Sequence, residues 1–156
     1  MRRSLFLATG VLLVALGVSF YFLTTRLGGP PAPGLAKEAS LRSVQLNGRI
    51  IHVLVAETPA ARSIGLGGRM GLAPDEGMLF VFPADGVYAF WMKDMKFSID
   101  ILWLSADGTI VSVVQHVSPD TFPATFRPDT PARYVLELPA GYVKAHTVSI
   151  GDIVRL

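Results

Sequence analysis

The eight residues Phe97 to Leu104, FSIDILWL, constrain what this chain can fold into more than any other stretch. Successive side chains of a strand point to opposite faces, so Phe97, Ile99, Ile101 and Trp103 share one side while Ser98, Asp100, Leu102 and Leu104 share the other. Apolar residues dominate both sides, which calls for a strand covered on both faces. Asp100 is then expected to be at least partly buried, and a buried carboxylate needs hydrogen-bond donors or a cation. The strand ends a longer run, Gly77 to Leu104, in which apolar stretches are interrupted by the charged segment Lys93 to Lys96.

Around this run the sequence reads as a string of short strands. Leu41 to Leu46 and Arg49 to Ala56 flank Asn47-Gly48, a dipeptide suited to the positive φ angles of a tight hairpin turn. Thr58-Pro59 predicts a helix start, with Thr as N-cap, Pro in the first turn and Gly67-Gly68 as the stop about two turns later. Pro74 to Gly77 and Pro83 to Gly86 have turn composition and bracket Met78 to Phe82, with a further strand expected over Val87 to Met92. Asp107-Gly108 predicts the turn into Ile110 to Gln115. Ser118 to Arg133 holds four prolines and reads as a long irregular loop, of the kind that is often functional. Tyr134 to Leu138 and Thr147 to Arg155 read as closing strands. The expected fold is mainly β (α+β): a compact antiparallel sheet or barrel-like domain with one short helix, plus an N-terminal transmembrane helix.

That last element rests on Ser4 to Leu23, twenty residues without a charge, long enough as a helix to span roughly 30 Å of hydrocarbon. Arg2 and Arg3 precede it, and the positive-inside bias then predicts a cytoplasmic N-terminus and an exported domain, a single-pass protein of a bacterial inner membrane. A cleaved signal would have a shorter apolar region with a small-residue site close behind it. Residues 1–25 are thus read as a signal anchor, 26–40 as a Gly/Pro-rich linker and 41–156 as the folded domain. Setting aside Arg2, Arg3 and Arg26 leaves 11 basic against 12 acidic residues, and no basic patch with interleaved aromatics suggests nucleic acid. The chain has no cysteine, which excludes disulfides, thiolate metal sites and a cysteine nucleophile.

Several motifs in order resemble the family known as domain of unknown function 192. Arg62-x-x-Gly65-Leu66 with Arg69 resembles its opening; Gly77 to Phe82, Phe90 to Lys93 and Asp100-Ile101 resemble its centre. Pro119, Ala132 to Glu137, Gly141 and Gly151-Asp152 resemble its close. Gly67 stands where the family usually has Met, and Asp94-Met95 where it has Asn-Thr, so a role needing that threonine does not carry over. The resemblance implies a compact β-rich domain, often exported, and brings no established activity.

The charged residues inside these motifs are Arg62, Arg69, Lys93, Asp100, Arg133 and Glu137. With a two-residue turn at Asp94-Met95, Trp91, Lys93 and Asp100 would project from one sheet face. A pocket floored by Trp91 could then hold a small anionic ligand on its cations, oriented by Asp100 or Glu137; the plainer reading is an ion-pair network that satisfies Asp100. No cofactor is expected. Asp100 and Glu137 as an acid/base pair of a hydrolase form one alternative. A structural module binding an envelope protein through the 118–133 loop forms another. His52, His116 and His146 lack ligand spacing, and Met92-x-x-Met95, a conceivable soft-metal pair, reads first as core.

Overall fold

The computed structural model describes residues 39–156, so the proposed anchor and most of the linker lie outside the described residues. Nine strands form among the described residues, and their order follows from the turns. Strands β1 (Ala39–Leu46) and β2 (Arg49–Ala56) pair in register across Asn47 and Gly48, whose φ angles of 49° and 78° are those the turn requires. Helix α1 (Pro59–Ile64) follows, capped by the Thr58 hydroxyl accepting from the Ala61 amide at 3.1 Å. It is shorter than expected: Gly65 already takes a positive φ of 53° and ends it before Gly67.

The α1 crossover returns the chain parallel to β2 as β3 (Glu76–Gly86), so the sheet is mixed rather than wholly antiparallel. β3 also runs through the expected Pro83 turn. Its pairing breaks between Val81 and Gly86, and the break accommodates a residue that has no N–H to give. Then come β4 (Phe90–Trp91), β5 (Ile99–Leu104), β6 (Ile110–Val117), β7 (Thr125–Phe126) and β8 (Ala132–Pro139). A second helix, α2 (Tyr142–Ala145), forms in the connection after β8, and only the short β9 (Val154–Arg155) stands where a closing strand over Thr147 to Arg155 was expected. Positive φ angles at Gly141, Thr147 and Gly151 interrupt any extended path there.

The main sheet has the order β6-β5-β8-β3-β2-β1-β9, and β4 pairs with β7 in a separate ribbon. The sheet curls until its ends meet at one corner: Thr109 bridges Ile153, and Ile110 N–H donates to Asp152 O at 2.8 Å. The concave side holds one core, with Val53, Leu79, Leu102, Leu104 and Leu136 packed against Tyr142 and Val143 of α2. The convex side carries a second core of Met78, Phe80, Ile101, Trp103 and Val135, covered by Ala61, Leu66, Met92 and Met95. All six residues of β5 are buried, as its two-sided apolar pattern predicts. The barrel-like, mainly β expectation holds, with two corrections, the parallel pair and the second short helix.

Candidate functional site

The convex core is incomplete. Between α1 with its following glycines and the segment 88–95 lies an open pocket of about 710 Å³, with Phe80, Phe82 and Glu137 on its sheet side. Its outer walls are assembled by specific bonds. The Trp103 indole N–H donates to Tyr88 O at 2.9 Å, holding the 87–89 segment to the sheet. Tyr88 then stacks on Phe82 with ring centroids 3.5 Å apart, and Phe90 meets Phe80 edge-on at 4.8 Å. Gly68 N–H donates to Asp94 O at 2.9 Å, clasping the two loops together. Asp94 accepts a φ of 59° to make that approach.

Arg62 forms part of the wall beside α1. Its guanidinium donates to Val81 O at 2.9 Å and lies 5.1 Å from the Phe82 ring centroid, so it is fixed by the strand it covers. Lys93 lines the opposite wall, exposed, with its ammonium 5.9 Å from the Trp91 ring centroid. Trp91 is about half exposed and tilts against Phe122 at 5.8 Å, which places the 118–133 loop beside the pocket mouth. That loop is partly regular: it holds a turn of 3-10 helix over Pro119–Thr121 and the β7 strand that supports Trp91.

Glu137 is the outlier of the site. It sits on β8 opposite Met78 of β3 and Ile101 of β5, in the middle of the convex core. Only 5% of its surface is exposed, and Oε2 has no hydrogen-bond partner. None of the ion pairs among the described residues includes it. Burial alone pushes its carboxyl up from an ordinary 4.5 to about 8, so at neutral pH it is mostly an uncharged acid with one O–H to donate.

Asp100 corrects the expectation of a Lys93–Asp100 pocket. Trp91 and Lys93 belong to the β4 region, which pairs with β7 and not with β5, so the two-residue hairpin that would have aligned them with Asp100 does not form. Asp100 instead faces the concave core, fully buried. Oδ1 accepts from His116 N–H at 2.8 Å and Oδ2 from Val143 N–H at 2.9 Å, which pins the start of α2 to β5. Backbone donors satisfy it, with the His116 imidazole Nδ1 3.9 Å from Oδ1, and neither the ion-pair network around Lys93 nor the Asp100–Glu137 acid/base pair is assembled. Arg133 is drawn away too, pairing through Nε with Asp85 at 2.7 Å across the broken register of β3 and β8. Arg69 is exposed beyond the clasped glycines and does not line the pocket.

Of the seven candidate residues, Arg62, Trp91, Lys93 and Glu137 converge. The aromatic wall of Phe82, Tyr88 and Phe90, together with Asp94, completes the pocket. At strand spacing beside other apolar residues, Phe80, Phe82, Phe90 and Trp91 read as core by default; their role as pocket wall depends on the length of the covering loops, which no local pattern specifies. Met92 and Met95 are buried in the convex core. Among the described residues no group of three or more His, Asp or Glu is placed to hold a metal ion, and no helix is long and apolar enough to cross a membrane.

No curated protein matches this chain in sequence. Solved structures similar to it include the following two. A Sinorhizobium meliloti protein, described provisionally as a transcription regulator, shares 36% identity with a TM-score of 0.71, covering 76% of this chain and 95% of its own. A protein of unknown function from Novosphingobium aromaticivorans has a TM-score of 0.71 at 22% identity, over 83% of this chain and all of its own, which attests the fold alone. The family model of domain of unknown function 192, described as "Uncharacterized ACR", matches residues 42–156. The chain belongs to that family.

Proposed function

We propose that this is an exported, membrane-tethered domain that binds a small molecule carrying an anionic group, without catalysing a reaction on it. One observation carries the binding reading: Glu137 lines an aromatic pocket while its buried carboxyl has no partner for Oε2. A buried polar atom left unpaired costs about 1–3 kcal/mol, and an incoming hydrogen-bonding group would recover that cost. An apolar pocket with a few polar groups and a perturbed acid is the usual form of a ligand site. Lys93 and Arg62 supply positive charge for the anionic end. Tethering rests on the uncharged Ser4–Leu23 run.

The test uses the full chain purified from membranes in mild detergent. Small molecules released on denaturation are identified by mass spectrometry, and rebinding is measured on wild type and Lys93→Ala. A released anionic compound that rebinds more weakly to Lys93→Ala supports the reading. An empty protein that instead cross-links to another protein through Phe122 would favour an interaction module. Recovery of the chain as a soluble species starting near Lys37 would overturn the tether.

A further inference from the structure

The two ends of the pocket differ in charge. Of the titratable groups lining it, Arg62 and Tyr88 lie against Phe82, and Lys93 and Asp94 belong to the exposed loop. None of them pairs with Glu137. The Arg62 guanidinium keeps its charge but is held by Glu57 O, Val81 O and the Phe82 ring. The sheet-side end, where Glu137 sits between Met78 and Ile101, therefore offers no countercharge to a buried anion. A cationic group entering there would have to pass Lys93 and Arg62. Phe80 and Phe90 flank this end with flat apolar surface, and their edge-on packing fixes both rings.

We infer that the sheet-side end of the pocket takes an uncharged planar group that presents a hydrogen-bond donor beside an acceptor, such as a carboxamide or lactam edge, held at two points by the Glu137 carboxyl. This rests on the small-molecule reading above and adds the chemistry of the ligand's inner end. An uncharged carboxyl carries one O–H donor and one acceptor oxygen side by side, the complement of an amide's C=O and N–H. The burial that keeps Glu137 protonated at neutral pH supplies that donor. An amide edge would give the unpaired carboxyl a partner. The anionic part of the same ligand would then remain at the mouth beside Lys93.

Benzamide, benzoate and benzamidine have one ring and differ in the charge of the attached group, so they test this directly. Each is titrated into the full chain in detergent. The fluorescence of Trp91 at the mouth is followed, with Trp91→Phe identifying the contribution of the buried Trp103. Benzamide is expected to bind best. Glu137→Gln, which keeps a donor beside an acceptor, should hold its affinity within about threefold, whereas Glu137→Leu should weaken it roughly tenfold or more. Thermal melts confirm that each variant is folded. Preference for benzamidine, lost in Glu137→Gln, would overturn the inference by showing a carboxylate counter-ion. Preference for benzoate that ignores both substitutions would also overturn it, while leaving an anion site at the mouth and the broader reading intact. Absence of benzamide binding up to about 10 mM, a range set by the small size of the probe, would overturn it as well.

Discussion

Asp100 and Glu137 lie on adjacent strands one register step apart, Ile101 being opposite Glu137, yet their carboxyls project to opposite faces of one sheet. One is closed off by two backbone amides and holds the fold; the other lines a pocket and lacks a partner. The same functional group thus has two physical fates, set by which face the pleat assigns it.

Asp100 should behave as a structural residue. Asp100→Asn keeps one acceptor and leaves either the His116 or the Val143 amide without a partner, which should lower stability by about 1–3 kcal/mol. Asp100→Leu strips both amides and should lose on the order of 3 kcal/mol or more. Urea unfolding measures both, and a leucine variant as stable as wild type would show that α2 is held some other way.

Glu137 sets a pH dependence of definite sign. Its carboxyl titrates near 8 in the folded chain against an ordinary 4.5, so over that interval the folded state holds a proton that the unfolded state releases. Its stabilising contribution is complete below about pH 4.5, declines as pH rises and is gone above about pH 8, a loss on the order of 4–5 kcal/mol. Asp107 and Asp152 are held below the usual carboxylate range by hydrogen bonds led by those from Ser105 and Asn47, and they act only at more acid pH. Comparing melting temperatures of wild type and Glu137→Gln at pH 5 and pH 8 isolates the effect; equal pH dependence in the two would refute the assignment.

The two pocket cations should separate in kind. Removing the Arg62 side chain breaks a hydrogen bond to Val81 O and uncovers Phe82, so Arg62→Ala should cost about 1–3 kcal/mol of stability. Lys93 is exposed, and Lys93→Ala should leave the unfolding curve unchanged within about 0.5 kcal/mol. Denaturant melts of the two variants side by side provide the check.

Gly77 tests how closely β3 must approach β8. A methyl group there would stand 2.8 Å from Glu137 O and 2.9 Å from a Leu138 methyl, one of them unyielding backbone. Gly77→Ala should destabilise by about 1–3 kcal/mol and disturb the strand that carries Glu137. A variant with unaltered stability and Trp91 fluorescence would mean the sheet can spread to admit it.

The features most legible in the sequence were those governed by neighbouring residues. Asn47-Gly48 specifies its turn, Thr58-Pro59 its cap, and the alternation in Phe97 to Leu104 the burial of Asp100, because each depends on backbone conformation or pleat within a few positions. Pro83 misled because a turn-forming composition is also compatible with a strand whose ladder has broken. The grouping of Lys93 with Asp100 failed for a longer-range reason: β4 chose β7, thirty-odd residues on, over its neighbour β5. Glu137 was a candidate from its motif, but its isolation among Met78, Ile101 and the pocket depends on three strands meeting, which no single stretch encodes.

The corner where the sheet's ends meet also bears on how the domain comes apart. Residues 108–110, 151–154 and the end of β1 hold one another through a bridge and hydrogen bonds between segments distant in sequence, including Val154 N–H to Gly108 O at 2.9 Å and Gly151 N–H to Ile110 O at 2.9 Å. None of these segments can detach without breaking bonds that the other two depend on. Amide hydrogen exchange at Ile110, Gly151 and Val154 should therefore be governed by the opening of the domain as a whole, while Lys93 and its neighbours exchange through local fluctuation alone.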